Sequence, residues 1–342
     1  MRLILRESLQ GGGFICAGKT MKDKLVVVFG GSGFIGTHVV RALCKDGWRV
    51  RVACRRPHRA LALQVNGQVG QVQLVQANIR MPASIDRALE GADAVVNLVG
   101  VLFEQGRQKF AGLHGRGAGL VASRAAARGI GNFVHMSALG ASADSPSRYA
   151  RSKAEGEYKV REAIKDAVIL RPSVVFGPGD GLFERFASMA VLSPVLPLIG
   201  GGHSRFSPLY VGDLARAVLA ALDMRSAKGK TFALGGPEVM TLKQIMQLVV
   251  HTIRRRRLLL PVPWFVANGL GLGGEIMGTV PFVEPFLTRD QVLLLKSDNV
   301  VDDTMAGMAD LGTGELETAQ AIVPGYLARY RKHGQFNDEV TA

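Results

Sequence analysis

The chain has 342 residues, of which 47% are hydrophobic and 20% are charged, and its formal net charge is +14 with a pI near 10.1. This composition excludes an intrinsically disordered chain and suits one large domain, or one domain with a smaller partner, because it offers ample apolar residues for a core. The excess of positive charge favours acidic partners, which include nucleotide phosphate, an anionic membrane surface and an acidic protein face.

The three cysteines, Cys16, Cys44 and Cys54, are few and far apart in the sequence. Their number and spacing argue against a disulfide framework and against a metal cluster, so we expect a reducing compartment and no metal site. Their simplest interpretation is that they are small buried hydrophobic residues.

Residues 1–21 precede the first predicted strand. Gly11, Gly12 and Gly13 interrupt the stretch that would have to form the apolar core of a signal peptide, so we expect no secretory signal. Met21 begins the run MKDKLVVVFGG directly before that strand, which favours an upstream start or a weak matrix presequence. We expect 1–21 to be a poorly ordered extension.

The stretch VVVFGGSGFIG joins a predicted strand at 25–29 to a predicted helix at 37–45 through a turn with the glycine spacing G-x-x-G-x-x-G. Glycines let a pyrophosphate approach the backbone, and the amides at the start of the following helix point at the bound anion. A strand, this turn and a helix at the start of an alternating chain therefore predict a dinucleotide site. The predicted contacts in the turn are Gly30, Gly33, Phe34, Ile35 and Gly36.

The second predicted strand, 48–54, is followed by Arg55 and Arg56. Dinucleotide folds usually place an acidic residue here, about 20 residues beyond the glycine turn, to accept hydrogen bonds from the adenosine ribose. Arginine in its place can bind a 2′-phosphate with two hydrogen bonds, so the sequence predicts NADP(H) over NAD(H). The alternative is that both arginines, with Arg59, form a solvated basic turn.

Strands and helices continue to alternate along the chain. This alternation predicts an α/β fold of the Rossmann type, in which a doubly wound parallel sheet carries helices on both faces. The further predicted strands are 72–76, 94–99, 132–136 and 168–170, and the predicted helices include 84–89 and 118–128.

Two segments follow predicted strands at the expected nucleotide crevice. Asn78 comes directly after the third strand, where it can reach the adenine. Asn97, Leu98, Val99 and Gly100 end the fourth strand beside the expected nicotinamide side of the crevice. The alternative for either segment is a polar side chain that caps its own loop.

The run YARSK places Tyr149 and Lys153 four residues apart, on one face of a helix predicted to begin near Ser147. A nearby ammonium stabilises phenolate and lowers the pKa of the tyrosine, so that the phenol can exchange a proton with a substrate hydroxyl or carbonyl. The lysine can also hold the hydroxyls of the nicotinamide ribose. Taken alone, the pair also fits an ordinary surface helix.

With the motifs GGSGFIG, YARSK, ILRPSVVFGPGD and LYVGDLARAV, the chain resembles the extended short-chain dehydrogenase/reductases over about 22–250. The resemblance implies a Rossmann dinucleotide-binding domain with a smaller C-terminal, substrate-type domain, and a further strand at 231–234. It also implies that Pro172 and Val174, at the end of the sixth strand, contact the dinucleotide. The implied bounds are 22–172 with 205–235 for the first domain, 173–204 with 236–320 for the second, and a tail at 321–342.

One position departs from the pattern of the reactive members, which carry a run of serines after the fifth strand to polarise the substrate carbonyl. Here Ser137 is followed by Ala138 and Leu139. The resemblance makes Tyr149 the acid/base, Lys153 its partner, and Ser137 the remaining candidate for the third catalytic residue and for a dinucleotide contact. Three serines of the following loop are open alternatives: Ser142, Ser145 and Ser147.

The segment LTRDQVLLLKSDNVV, together with NLVGVL and HMSALGA, resembles the nucleotide-binding accessory subunit of respiratory complex I, NADH:ubiquinone oxidoreductase, over most of 22–302. This resemblance implies a tightly held NADPH away from the electron path and a role in assembly or stability. It implies partners in the peripheral arm near the quinone-site junction. The implied location is peripheral, on the cytoplasmic face of a bacterial inner membrane or the matrix face of the mitochondrial inner membrane.

A basic cluster at 254–257 precedes an apolar span at 258–287, in which Glu275 and Glu284 are the only charged residues. A basic cluster next to an apolar surface is typical of a peripheral protein that docks on anionic lipid. Prolines and glycines interrupt the span too often for a membrane-spanning helix. The alternative, which is compatible with the first, is a helix pair of the smaller domain packed on the nucleotide domain.

Two functions remain open. The first is an NADP(H)-binding accessory subunit of complex I with little or no turnover, which the C-terminal segment, Arg55 and Arg56 favour. The second is a free NADP(H)-dependent reductase, epimerase or dehydratase that uses Tyr149 and Lys153. A nucleic-acid partner is disfavoured, because no aromatic-rich basic motif accompanies the charge.

Overall fold

The computed structural model of the protein describes residues 22–278, 285–302, 304–332 and 334. The expected extension at 1–21 lies outside these residues. The strands are β1 (Leu25–Phe29), β2 (Arg49–Cys54), β3 (Val72–Gln76), β4 (Ala94–Asn97), β5 (Asn132–Met136), β6 (Val168–Pro172), β7 (Val175–Phe176), β8 (Val195–Ile199), β9 (Arg205–Phe206), β10 (Leu209–Tyr210), β11 (Thr231–Leu234), β12 (Met240–Thr241) and β13 (Leu258–Val262). The α-helices are α1 (Phe34–Lys45), α2 (Pro82–Leu89), α3 (Arg116–Ala126), α4 (Arg148–Ala163), α5 (Phe183–Leu192), α6 (Val211–Asp223), α7 (Leu242–Thr252), α8 (Trp264–Met277), α9 (Arg289–Leu295) and α10 (Ala319–Leu327).

A seven-stranded sheet lies at the centre of the larger part of the fold, with the strand order β11-β6-β5-β4-β1-β2-β3. All neighbouring strands in it run parallel. Every residue of β1 is buried, because helices cover both faces of this strand, and this explains its apolar run without alternation. The predicted Rossmann sheet is confirmed.

The helices make a separate core on each face of the sheet. The fully buried residues of the first core include Val39 and Leu43 of α1 and Leu214 and Val218 of α6; those of the second include Ile85 of α2, Val121 of α3 and Val160 of α4. The chain order of the strands changes direction at β1, which lies between β4 and β2. In sheets of this kind the ligand crevice opens at the carboxyl ends of the strands at that point.

The last strand of the sheet joins it from a distant part of the chain. β11 pairs with β6 at the sheet edge, although 173–230 separate the two strands in sequence. Within that interval the chain leaves the sheet to form α5 and β8, and it returns through α6. The sheet is therefore built from two separate stretches of the chain.

A further core beside the sheet joins α5, α7 and α10. Phe183, Ile245, Val323 and Leu327 are fully buried in it. The sequence predicts a tail at 321–342, but up to residue 327 the structure has a helix, because Val323 and Leu327 fill this core. The other domain bounds stay predictions.

α8 and α9 pack side by side, and we call residues 264–278 with 287–295 the α8–α9 hairpin. A Cβ on Gly274 would lie 1.9 Å from the carbonyl oxygen of Leu287, and one on Gly271 would lie 2.8 Å from the backbone nitrogen of Arg289. The glycines that interrupt the apolar span therefore let α8 approach the chain entering α9. Among the described helices, none combines the length and hydropathy needed to cross a membrane.

Candidate nucleotide site

Two positions in the turn after β1 require glycine, one because of its positive φ and both because the backbone packs closely there. Gly30 has a φ of +80°, and a Cβ there would lie 3.1 Å from the carbonyl carbon of Leu98 and from the nitrogen of Val99. A Cβ on Gly36, in the first turn of α1, would lie 2.4 Å from the carbonyl oxygen of Gly30. A side chain at Gly36 would therefore push α1 away from the turn.

α1 begins directly behind this turn, with Gly33 as a cap that has no side chain. The first amides of a helix have no acceptor within it, and with the helix dipole they favour an anion. The Ile35 side chain is partly buried and packs against the core, and its contact with a dinucleotide stays a prediction. Phe34 lies beside the turn that contains Gly179, with its ring edge 3.7 Å from where a Cβ of that glycine would be.

Arg55 and Arg56 follow β2 and are exposed. The residue before them, Cys54, is buried beside the glycine turn, where it contacts the hydroxyl of Ser32. Burial raises the pKa of the Cys54 thiol, and hydrogen bonds with the Arg56 backbone and with Ser32 oppose this shift. The arginine pair thus begins next to the turn, and its contact with a 2′-phosphate stays a prediction.

Asn78 lies just after β3, and its side-chain oxygen accepts a hydrogen bond from the backbone N–H of Arg80 at 3.1 Å. Its backbone N–H and carbonyl bond to the hydroxyl of Ser84 at 3.0 and 2.9 Å. The side-chain oxygen therefore caps its own loop, which was the alternative left open by the sequence. A contact between the Asn78 amide and an adenine stays a prediction.

The residues after β4 connect the glycine turn to α4. The N–H of Leu98 donates to the carbonyl of Phe29 at 2.9 Å, which continues the pairing of β4 with β1. Farther along, a Cβ on Gly100 would lie 3.2 Å from the Nζ of Lys153. Residues 98–100 thus lie between the glycine turn and the YARSK motif, and the fold brings these two motifs to one crevice.

Tyr149 and Lys153 lie one turn apart on α4, with the Nζ of Lys153 5.8 Å from the ring centre of Tyr149. Lys153 is buried and donates to the carbonyl of Met136 at 3.2 Å. Burial lowers the pKa of Lys153 to about 8, against the opposing effect of Glu157. Burial also raises the pKa of Tyr149 to about 12, and the carboxylate of Asp290 adds to this shift. The expected lowering of the tyrosine pKa is therefore not found in the protein alone, because burial disfavours both charged forms.

Ser137 is buried directly after β5, and within the described residues its hydroxyl has no hydrogen-bond partner. The N–H of Leu139 donates to the carbonyl of Pro172 at 2.9 Å, which places Pro172 beside this segment. Val174 follows, and its carbonyl accepts the N–H of Leu209 at 2.9 Å. A buried hydroxyl without a partner costs free energy unless a ligand satisfies it, so Ser137 is well suited to meet a bound molecule.

His114 belongs to the site although the sequence did not single it out. It is buried in the π-helical turn Ala111–Gly115, where its Nε2 accepts the N–H of Val101 at 3.0 Å. Its Nδ1 lies 2.9 Å from the hydroxyl of Ser152, which donates to the carbonyl of Tyr149 at 2.7 Å. These bonds require a neutral ring with its proton on Nδ1, and burial lowers the pKa of His114 to about 2. His114 therefore connects the loop after β4 to α4 through hydrogen bonds. Its low pKa means that the ring is neutral and does not serve as an acid at neutral pH.

A second histidine, His135 of β5, is fully buried beside Asn97. Its Nδ1 lies 3.3 Å from the amide nitrogen of Asn97, so Nδ1 accepts the bond and Nε2 carries the proton. The described residues offer Nε2 no partner. Burial, followed by the charge of Lys153, lowers the pKa of His135 to about 3, so the ring adds no second positive charge next to the lysine.

Asp290, in the first turn of α9, also contacts the site without having been predicted. Its carboxylate accepts hydrogen bonds from the hydroxyl of Ser147 at 2.8 Å, from the N–H of Arg148 at 2.7 Å and from the N–H of Tyr149 at 3.1 Å. The Ser147 oxygen in turn accepts the N–H of Ala150 at 3.2 Å. Asp290 lies in the segment quoted for the resemblance, but no spacing in the sequence connects it with α4.

These features fit a dinucleotide. The glycine turn offers backbone amides without side chains, and the crevice beyond it contains the Lys153 ammonium and the hydroxyl of Ser137, for which the described part of the chain supplies no hydrogen-bond partner. Chemically, Tyr149 can donate a proton to an oxygen, while Lys153 and Ser137 can hold hydroxyl or carbonyl groups. Over the described part of the chain, no group of three His, Cys, Asp or Glu side chains is arranged to hold a metal ion.

Comparison with known proteins gives three informative matches. Residues 26–235 match the NAD dependent epimerase/dehydratase family. NADH dehydrogenase (ubiquinone) 1 alpha subcomplex subunit 9, a mitochondrial protein of Arabidopsis thaliana, is 33% identical over 321 residues, which cover 91% of this chain and 79% of that protein. The ceramide reductase of Caulobacter vibrioides is 36% identical over 201 residues, which cover 57% of this chain and 60% of the reductase.

Among solved structures, the UDP-glucose 4-epimerase of Thermus thermophilus in complex with NAD has the same fold. The two structures superpose with a TM-score of 0.66 at 19% sequence identity, over 90% of this chain and 99% of the epimerase. At this identity the likeness shows the fold alone.

Proposed function

The chain belongs to the NAD dependent epimerase/dehydratase family, and from that premise we propose that it is an NADP(H)-binding accessory subunit of respiratory complex I. The observation that carries the proposal is the extent of its similarity to the Arabidopsis NADH dehydrogenase subunit. That similarity covers 91% of the chain and so continues past the nucleotide site into the α8–α9 hairpin. The proposed partners are subunits of the peripheral arm near its junction with the membrane arm.

Retention of NADP(H) with little or no turnover fits the chemistry of the site. Ala138 and Leu139 stand where reactive relatives carry serines. Burial raises the pKa of Tyr149 to about 12, so its phenol is a weak acid at neutral pH. The glycine turn, Lys153 and Ser137 would hold the dinucleotide, and Arg55 and Arg56 would bind the 2′-phosphate that distinguishes NADP(H) from NAD(H).

The outer face of the α8–α9 hairpin and the adjoining β13 supports a peripheral position on an anionic membrane. Large apolar side chains exposed there include Leu258, Leu260, Phe265, Leu270, Leu272 and Met277. Arg254 and Arg256, which directly precede β13 in the sequence, are also exposed. Apolar side chains next to arginines favour a surface of anionic lipid. The proposed location is the inner-membrane face that carries the peripheral arm, cytoplasmic in a bacterium and matrix-facing in a mitochondrion.

One observation favours a second function, that of an NADP(H)-dependent reductase. Tyr149 and Lys153 are both retained, and the fold brings them to the crevice that contains Ser137. A bound nicotinamide would supply the hydride for such a reaction. Tyr149 would then donate a proton to the substrate oxygen, Lys153 would stabilise the phenolate that remains, and Ser137 would polarise the carbonyl. The 36% identity to a ceramide reductase makes lipids of the ceramide class the first substrates to test.

Native electrophoresis of gently solubilised membranes separates these two functions. We expect the chain to migrate with NADH dehydrogenase activity in a band of megadalton size, and we expect Tyr149→Phe to leave membrane NADH oxidation unchanged. Recovery of the chain only as a small soluble species, with a turnover that Tyr149→Phe abolishes, would contradict the first function and support the second.

The role of the nucleotide is tested by Gly33→Asp in the same experiment. A Cβ on Gly33 meets only the carbonyl oxygen of Gly30, at an ordinary 3.4 Å, so the fold tolerates the substitution. The new carboxylate repels phosphate at the start of α1, and we expect less assembled complex. Gly131→Asp is the matched control, because Gly131 is exposed and its Cβ would enter open space.

A further inference from the structure

Asp290 joins two parts of the molecule that are far apart in sequence. It belongs to the α8–α9 hairpin, yet its carboxylate accepts hydrogen bonds from the backbone N–H groups of Arg148 and Tyr149 and from the hydroxyl of Ser147. These three donors form the start of α4, the helix that carries Tyr149 and Lys153. The hairpin therefore caps the helix of the nucleotide site.

On the hairpin side, the residues that flank Asp290 are hydrogen-bonded within the first turn of α9 and to α8. Thr288 and Gln291 form a reciprocal cap around it, with the N–H of Gln291 on the threonine hydroxyl at 3.3 Å and the N–H of Thr288 on the Gln291 side-chain oxygen at 3.0 Å. The N–H of Arg289 donates to Glu275 of α8 at 3.1 Å. At Gly271 and Gly274, α8 also approaches closely the backbone of Leu287 and Arg289, which leads directly to Asp290.

On the α4 side, the first turn is held from two directions. The side chain of Arg148 forms an ion pair with Glu104 at 3.1 Å, and Glu104 also accepts the N–H of Phe110 at 2.8 Å. Glu104 lies in the loop after β4, which borders the nucleotide crevice. The start of α4 thus lies between this loop and Asp290, and a carboxylate at this position stabilises the helix through its first amides and its dipole.

We propose that Asp290 is a positioning residue that couples the nucleotide site to the α8–α9 hairpin, so that bound NADP(H) stabilises the hairpin and a stabilised hairpin slows the release of NADP(H). The ligand acts on Tyr149 and Lys153, the backbone of Tyr149 is bonded to Asp290, and Asp290 moves with α8. Because binding free energies are linked, the effect of the hairpin on NADP(H) affinity has the same size as the effect of NADP(H) on the stability of the hairpin. The inference rests on the proposed function, since it takes NADP(H) as the ligand and the hairpin as the docking surface.

The first test needs no substitution. Hydrogen exchange is measured along the full chain with and without NADPH. Coupling predicts slower exchange of the backbone amides in α8 and α9, in addition to those of the glycine turn and the start of α4. Protection confined to the glycine turn and α4, with α8 and α9 unchanged, would overturn the inference while leaving the proposed nucleotide site intact.

The second test compares Asp290→Asn with the matched control Asp298→Asn. Asp298 lies just beyond α9 and pairs with Arg205, away from α4. A tenfold loss of affinity lies within the usual range of coupling between two sites, and such losses fall mostly on the dissociation rate. We therefore expect Asp290→Asn to speed NADPH release about tenfold and to abolish the protection of α8 by NADPH. The control should change neither measurement, and Asp290→Glu should restore part of both because it returns the charge.

Equal release rates from Asp290→Asn and Asp298→Asn would overturn the coupling. A wild-type chain that binds no NADPH at all would overturn the proposed function together with the coupling, so the two failures are distinguishable.

Discussion

Gly100 leaves the space that the ammonium of Lys153 occupies: a Cβ on Gly100 would come within 3.2 Å of the Nζ. Gly100 follows β4, and Lys153 lies on α4, so this contact joins two sides of the crevice. The close approach of Lys153 to Gly100 is possible because glycine has no Cβ. If a Cβ were present, the flexible end of the lysine side chain could move away by a few tenths of an ångström.

Gly100→Ala is therefore expected to shift the Lys153 ammonium without unfolding the protein. We predict NADPH affinity three- to tenfold lower, which corresponds to about 1 kcal/mol, with thermal stability close to that of the wild type. Equilibrium fluorescence titration with NADPH measures the affinity. Gly131→Ala, where the added methyl group enters open space, is the control, and unchanged affinity in Gly100→Ala would contradict the assignment of Lys153 to the dinucleotide.

Lys153→Met should stabilise the protein while it removes NADPH retention. The lysine is buried, and burial lowers its pKa from 10.5 to about 8. At pH 7 the folded protein therefore contains an unfavourable buried charge, and its replacement should raise the free energy of unfolding by about 1–3 kcal/mol. Lys159→Met, which removes a partly exposed lysine paired with Glu155, is the control for loss of charge.

The stability gained by Lys153→Met should depend on pH, and the direction of that dependence follows from the lowered pKa of Lys153. Between pH 8 and 10.5 the unfolded chain holds the lysine proton more often than the folded protein does, so the stability of the wild type rises with pH through that window. The advantage of Lys153→Met should therefore shrink as the pH rises from about 8. Urea unfolding over a pH series measures it, and an advantage that is independent of pH would refute the buried-charge explanation.

Preference for NADP(H) is tested by reversing the charge after β2. Arg55→Asp combined with Arg56→Ser should weaken NADPH binding by tenfold or more, about the value of one charge-assisted hydrogen bond, and leave NADH binding nearly unchanged. Arg59→Ser, in the same exposed turn, is the control. Equal loss of both nucleotides, or of neither, would support the solvated basic turn instead.

Membrane docking is tested on the outer face of α8. Phe265, whose side chain is 77% exposed, and Leu272 are replaced together by Glu. Burial of each side chain in lipid is worth about 1.5–3 kcal/mol, so the double variant should lose at least tenfold in binding to phosphatidylcholine vesicles that contain cardiolipin. Co-flotation measures binding, and Tyr158→Glu, at an exposed aromatic residue of α4, is the control. Undiminished flotation of the double variant would assign this face to a protein contact.

Features set by neighbouring residues could be predicted from the sequence. The apolar run of β1, the turn at Gly30 and the start of α4 after Ser147 each depend on residues a few positions apart, and the structure has the predicted strand, turn and helix. At Asn78 the sequence also offered the loop-capping bond that the side-chain oxygen makes.

Features that depend on tertiary packing could not be predicted. His114 acquires its role because a π-helical turn brings it between Val101 and Ser152, and Asp290 acquires its role because the chain returns to α4 after forming the smaller core. The pKa of Tyr149 was predicted in the wrong direction, since the sequence shows the nearby lysine but not the burial that outweighs it. No local sequence pattern predicts these tertiary contacts or the burial of Tyr149.

The position of β11 has a consequence for synthesis on the ribosome. β6 emerges with one edge unpaired, and its partner strand is translated only after the whole of 173–230. Until then the nascent chain exposes backbone donors and acceptors of an apolar strand, a template for pairing with other chains. A translational pause or a truncation between these strands should therefore trap an aggregation-prone intermediate.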